Sequence, residues 1–446
     1  MDYTFFFPQF SNFAVAVLAF ILCLSVIVFV HEFGHYLIGK LSGIHAEVFS
    51  IGFGPVIISV KDKRGTKWQI AAFPLGGYVK FLGDKTVASN PASEIELYAE
   101  PSIIRKTMNG APLWARFITV AAGPIFNFVF SGVIFFFIYM NQGTIKFPLT
   151  VDKVYETPFE QKFEEGDVVN SVNEILIADN LIEYDKIVGE TSSNETFTYV
   201  VERKGKFVTL EEINQNPPRV NQVLPKSAAI SAGLEKGDLI LSVNYQKISG
   251  FNQIKRLVEA SQGAVLKVEY WRKGNVYETE LRPLIVDVPN ELGGFERIYR
   301  IGIVSDYFPF QPATTKQSIS YAFRSSIESI YLIIEGSVKG LYHIIFGNIS
   351  SCNLSGPISI AETSGQMVKQ GSLSYLWFIA VLSTAIGAIN LFPVPVLDGG
   401  HLMFFTVEAL LGRKPDPKLI NAFMTAGFVL LIGLMFFTIF NDFLCG

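Results

Sequence analysis

The chain has 446 residues, of which 50% are hydrophobic, 14% aromatic and only 17% charged, against about 25% charged residues in a typical soluble domain; this argues against a wholly water-soluble enzyme. A formal net charge of −4 offers no basic excess to neutralise phosphates, so no nucleic-acid partner is expected. Cys23, Cys352 and Cys445 are too few and too scattered for a disulfide framework or a thiolate metal site, so a metal would be held by His and carboxylate.

In chain order, four charge-free apolar stretches are long enough to cross a bilayer, which takes about 20 residues: Phe13 to Val30, Phe117 to Met140, Leu376 to Val396 and Leu419 to Phe440. The first has no Lys or Arg before it and no small-residue cleavage site after it, so it reads as a retained span rather than a signal peptide. Only Asp2 is charged ahead of it, whereas Lys40, Arg105, Lys106, Arg116, Arg413, Lys414 and Lys418 flank the other ends of the spans. Positive-inside bias makes those loops cytoplasmic and puts both termini and residues 141 to 375 outside. Between the first two spans, residues 44 to 82 carry strand formers around the turn Asp62-Lys-Arg-Gly65 and predict a small cytoplasmic β-sheet. In the outer segment, Glu165-Gly-Asp-Val-Val-Asn-Ser-Val-Asn173 recurs 71 positions later as Lys236-Gly-Asp-Leu-Ile-Leu-Ser-Val-Asn244. Two tandem copies of one small domain follow, joined near Pro217-Pro218. Residues 318 to 346 place Arg324, Glu328, Glu335 and Lys339 near one helical face, as in an amphipathic helix or helix pair on the outer membrane surface.

The chemistry begins where the first span ends, at His31-Glu-Phe-Gly-His35. On a helix, residues i and i+4 share a face, so both imidazoles can reach one Zn2+ while Glu32 orients and deprotonates water. A single helical His is usually structural, but three ionisable groups at the end of an apolar span need partners or a wet cavity. Catalytic zinc commonly takes three protein ligands. His45 lies past Ser42-Gly43 in the loop and sheet region; Asp398, in Asn390-Leu-Phe-Pro-Val-Pro-Val-Leu-Asp398-Gly-Gly-His401, is the better candidate, with His401 a rival. Pro393 and Pro395 break the third span, and irregular backbone at membrane depth must be buried in protein or line a cavity. Both spans enter from outside and rise about 27 to 33 Å at 1.5 Å per residue, so His31, His35 and Asp398 are expected to converge near the cytoplasmic boundary. An edge strand within residues 44 to 82 can hold an unwound substrate by β-addition, and Asn390 can bond either the substrate backbone or a neighbouring helix.

His31 to His35, the Asn390-x-x-Pro-x-Pro-x-Leu-Asp-Gly stretch, Phe49-Ser-Ile-Gly-Phe-Gly-Pro55, Gly76-Gly-Tyr-Val-Lys80, Gly123-Pro-Ile-Phe-Asn127 and Ser355-Gly-Pro357 together resemble the site-2 protease family, and within it the bacterial branch with tandem PDZ domains. The resemblance covers nearly the whole chain. It implies a multi-pass α-helical membrane protein with four transmembrane helices, a small cytoplasmic membrane-associated β-sheet and two periplasmic α+β PDZ-like domains. The expected division is 1–43 with the zinc motif, 44–111 cytoplasmic sheet, 112–141 second span, 142–218 and 219–290 PDZ-like domains, 291–374 amphipathic helices and loop, 375–400 third span, and 401–446 with the fourth. It further implies a zinc intramembrane endopeptidase of a Gram-negative inner membrane, with Glu32 catalytic and His31, His35 and Asp398 on Zn2+. Substrate would be held by Gly76, Gly77, Tyr78, Asn390, Pro393 and Pro395. The implied substrates are single-span membrane proteins such as an anti-sigma factor in an envelope stress response, and remnant signal peptides, while the PDZ-like domains bind peptide termini. The first repeat lacks the Ala232-Gly-Leu234 of the second, which leaves its own peptide binding open. A non-catalytic PDZ membrane adaptor would not need Glu32, and a transporter would show inverted repeats of its spans.

Overall fold

The computed structural model describes residues 6–83, 100–177, 196–213, 217–290 and 294–445; Asp2, used above to orient the N-terminus, lies outside them. The chain divides into two compact units. One comprises Met1–Ile138, Ser320–Phe346 and Ser351–Gly446, the other Tyr139–Ile319 with Gly347–Ser350.

Among the described residues, the first unit holds four helices long and apolar enough to cross a membrane. Helix α1 (Phe6–Leu41) runs unbroken through the His-Glu-x-x-His segment, so the apolar span and the motif share one rigid rod. It stops where Gly43 takes φ +81° and the Ile44 amide donates to the Gly39 carbonyl at 2.8 Å, the left-handed cap that glycine makes cheap. Arg105, just past the short helix α2 (Pro101–Ile104), donates to the Ser42 carbonyl within that cap. Strands β1 (Ala46–Lys61) and β2 (Lys67–Phe81) follow, each bent midway. Positive φ at Gly52 and Gly54, and again at Gly76, marks the bends. The bent halves form four rungs: residues 77 to 81 pair with 46 to 51, which also lie beside 67 to 70, which pair in turn with 58 to 61. Among the described residues, the rung of residues 77 to 81 is thus an edge. Phe49, Tyr36, Phe81 and Ala115 form the core beneath the sheet, and Asp62 at the hairpin tip accepts the amides of Arg64 and Thr66.

Helix α3 (Leu113–Gln142) is the second of these apolar helices. The third is shorter than the apolar run: α8 (Ser372–Asn390) ends six residues before Val396, because Pro393 and Pro395 withhold donors and residues 391 to 397 become a chain of turns. Helix α9 (Asp398–Leu411) then starts on Asp398 itself, and α10 (Pro417–Cys445) is the fourth span. Helix α7 (Pro357–Lys369) lies between these and α1; its Gly365 touches the backbone of Ala16. Residues 319 to 345 form one continuous helix, α6 (Ile319–Ile345), rather than a pair, and Ile330 rests against Gly132 of α3. Cys352 is disulfide-bonded, so one bridge does form.

The second unit contains the sequence repeat. The first copy is a sheet ordered β6-β5-β7-β8, from Ile175–Leu176, Val168–Val172, Thr196–Arg203 and Lys206–Ile213. The second copy repeats it as β11-β10-β12-β13, from Gln246–Lys247, Leu239–Val243, Leu266–Arg272 and Asn275–Leu281. In both, the Gly-Asp turn works alike. Gly166 and Gly237 take positive φ, and the following Asp167 and Asp238, each 1% exposed, receive two nitrogens of Arg203 and Arg272 respectively. The copies are nested rather than consecutive. Strand β16 (Ile303–Ser305) pairs with β9 (Val220–Val223) of the second copy, and β17 (Phe310–Pro312) then pairs with β4 (Val151–Val154) of the first. Phe308 and Phe310 complete the first copy's core beside Tyr199, although the sequence reading leaves residues 291 to 374 outside both domains. Three-residue strands carry too little periodicity to be seen beforehand.

Candidate metal centre

His31 and His35 face one way on α1, and α3 holds them there. Its Gly123 lies so close that a Cβ would sit 2.3 Å from His35 Nε2 and 2.9 Å from His31 Cε1; only hydrogen fits. His35 Nδ1 is 2.9 Å from the Thr119 carbonyl. The carbonyl can only accept, so Nδ1 carries the proton and Nε2 presents its lone pair. His31 Nδ1 lies 3.3 Å from the side-chain amide of Asn127, which is 0% exposed and whose Oδ1 has no other partner. With the amide oxygen turned toward the ring, Nδ1–H donates to it and Nε2 is again free.

Asp398 enters from the start of α9. Its Oδ2 is 3.0 Å from His31 Nε2 and 3.4 Å from His35 Nε2, and the two nitrogens are 3.2 Å apart. Although close to both rings, Oδ2 is aligned for a hydrogen bond with neither and stays unsatisfied. Three acceptor atoms 3.0 to 3.4 Å apart stand close to the spacing of about 3.4 Å that a tetrahedral ion with ligand bonds of about 2.1 Å imposes, so these residues fit zinc. Asp398 is aimed by its surroundings. The backbone of Gly399 and Gly400 presses on the carbonyls of Leu391, Phe392 and Val394, where any Cβ would fall within 2.1 to 2.5 Å. Val396 takes φ +81°, a costly conformation for a β-branched residue, held by its neighbours.

The three residues line a cavity of about 880 Å³ together with Glu32, Tyr78 and Asn390. Glu32 follows His31 on α1 and meets β2, where the Val79 amide bonds its carboxylate and its Cγ would be 3.2 Å from a Cβ on Gly77. The model matching this chain over residues 19–434 is that of peptidase family M50.

The chain belongs to peptidase family M50.

A regulator of sigma-E protease, RseP, of Salmonella typhimurium is 31% identical over 458 aligned positions, spanning 95% of this chain and 97% of its own. A protein of Agrobacterium fabrum provisionally named a zinc metalloprotease is 32% identical, spanning 96% of this chain and 95% of its own. This M50 chain is accordingly a zinc metalloprotease.

Within the M50 site, the structure brings together His31, His35 and Asp398. His401 lines the same cavity one turn beyond Asp398 but is not part of the three-atom cluster, and His45 lies beside Gly65 of the hairpin tip. Of the expected substrate-binding residues, Tyr78 and Asn390 face the cavity. Gly77 instead makes room for the Ser50 carbonyl and Glu32, Gly76 for the Phe53 ring, and Pro395 packs on Gly427 of α10. Pro393 acts through the break that it makes in the helix. The sequence reading assigned no role to Asn127, which it met only inside Gly123-Pro-Ile-Phe-Asn127, nor to the Thr119 carbonyl. A polar residue four positions after a glycine in an apolar span was the available signal.

Proposed function

We propose that this M50 protease cleaves transmembrane segments of single-span membrane proteins, with His31, His35 and Asp398 holding zinc and Glu32 handling the proton. The observation that carries the reading is the cluster of three mutually close ligand atoms beside Glu32, in a cavity bordered by a sheet edge that is unpaired among the described residues. When bound, zinc supplies Lewis acidity. Glu32 takes the proton from the attacking water and returns it to the leaving nitrogen. A helical substrate hides its amides in its own hydrogen bonds, so a stretch must unwind first; the edge of residues 77 to 81 offers it backbone partners by β-addition, and Asn390 a side-chain amide.

The likeness to RseP of Salmonella supports an inner-membrane setting, with anti-sigma factors as the substrate class and remnant signal peptides as a second. The distribution of Lys and Arg supports termini and repeats on the periplasmic side. The two repeats, read as PDZ-like domains, act as a size filter that keeps folded outer domains from the site. Glu32→Gln leaves the three ligands untouched, so it should keep about one zinc per chain and lose cleavage of a reconstituted single-span substrate. Normal turnover by that variant would remove Glu32 from the mechanism.

A further inference from the structure

The two halves of the metal site ride on different helices, α1 and α9, and a buried ion pair at a distance from the site ties α9 to α3, the helix that grips the histidines. Arg116, in the first turn of α3, donates from two nitrogens to both carboxylate oxygens of Glu408 near the end of α9, at 3.0 and 2.6 Å. The side chains are only 8% and 14% exposed. The guanidinium is itself held from two further sides, by the Ala111 carbonyl at 3.1 Å and by the Phe405 ring at 5.1 Å. Just beyond α9, Lys414 donates to the Asn109 carbonyl, so α9 meets the start of α3 twice.

We propose that the Arg116–Glu408 pair is a positioning device for the third metal ligand, setting the rotation and depth of α9 so that Asp398 reaches the imidazoles; this rests on the ligand set proposed above. Arg116 stands one turn before Thr119, on the helix whose Thr119, Gly123 and Asn127 grip His35 and His31. The pair therefore refers Asp398 to the frame that already holds the histidines. Glu408 lies ten residues, about 15 Å, along α9 from Asp398. At the N-terminal end α9 is gripped by backbone contacts of Gly399 and Gly400, and the ion pair supplies the second point that stops it turning. A carboxylate stands about 6 Å from the helix axis, so a 20° rotation carries it about 2 Å, well beyond the roughly 0.5 Å that a preorganised site tolerates. The bidentate fork is a geometric constraint that a lysine cannot reproduce.

The test uses the full-length protein in detergent. Zinc affinity is read by chelator competition, and the ligand field by the visible spectrum of the Co2+ form. Glu408→Gln and Arg116→Lys should each weaken zinc about tenfold or more and shift the Co2+ bands, and exchanging the partners in an R116E/E408R double variant should recover part of both. Wild-type zinc affinity and Co2+ spectrum in both single variants would overturn the proposal, whatever happens to thermal stability; that result marks the pair as structural only. Should Glu408→Gln fail to fold, Arg116→Lys, in which both charges remain, decides by the same readouts. Asp398→Ala measured alongside separates the two levels: if it too binds zinc normally, the ligand assignment is at fault rather than the ion pair.

Discussion

In the candidate metal centre, Asn127 is placed to act on a ligand without touching the metal. Its amide is completely buried, stands beside His31 Nδ1 and has an otherwise unsatisfied oxygen, and a ring whose Nδ1–H is held presents Nε2 in the ligating tautomer. Asn127→Leu keeps the volume and removes the acceptor. Zinc affinity should fall about 10- to 100-fold while the helices remain folded, checked by chelator competition and circular dichroism; unchanged affinity would show that ring packing against Gly123 suffices.

At the scale of elements, the β1–β2 hairpin is tied to α1 at one corner. Asp62 accepts from the amides of Arg64 and Thr66, from Trp68 Nε1 and from the hydroxyl of Tyr36, which also receives Lys40. Burial pushes the Asp62 carboxyl up, but those donors together outweigh it and hold the pKa below the ordinary carboxylate value. A depressed folded-state pKa contributes stability above the unfolded value, near 3.9, that disappears as pH falls through the folded one. Hairpin protection in hydrogen exchange should therefore be level at neutral pH and weaken only below about pH 4, and Asp62→Ala should remove that pH step while loosening the tip at all pH values. The far end of the hairpin carries a separate expectation. Proline at Phe81 on the edge rung removes a backbone donor that Glu32 does not use, so turnover of helical substrates should drop while zinc content stays normal; full turnover by that variant would eliminate substrate clamping there.

At the scale of the molecule, the nesting of the repeats changes how they can be removed. A deletion of residues 145 to 290, the cut that the sequence repeat invites, leaves β16 and β17 without β9 and β4, with Phe308 and Phe310 stripped of their core. A deletion from 144 to 315 takes out both copies whole, including the pair of β3 (Thr144–Ile145) and β18 (Thr314–Thr315). Under the size-filter reading this longer deletion should preserve cleavage of a short-tailed substrate and permit some cleavage of one that retains its outer domain. Under recruitment, cleavage of the short-tailed substrate would fall and the long one would gain nothing.

Much of this protein is local, and local features were legible in its sequence. Among the described residues, uninterrupted apolar runs mark the four helices long and apolar enough to cross a membrane, because a bilayer demands a minimum length of apolar helix. His31, Glu32 and His35 are placed by helical periodicity alone, and Asp398 by two closely spaced prolines that together end a helix. The 71-residue repeat announces two similar sheets before any contact is known. What tertiary structure decided involves residues far apart in sequence. That β16 and β17 reach back to close the two copies depends on pairings between residues 80 and more than 150 positions apart, for which three-residue strands leave no pattern. That α3 supplies a carbonyl, a bare glycine and a buried amide to the two imidazoles, and that Arg116 meets Glu408 across 292 positions, are consequences of packing. Sequence spacing names the groups capable of the chemistry; only the assembled helices determine which of them are held in reach of one another.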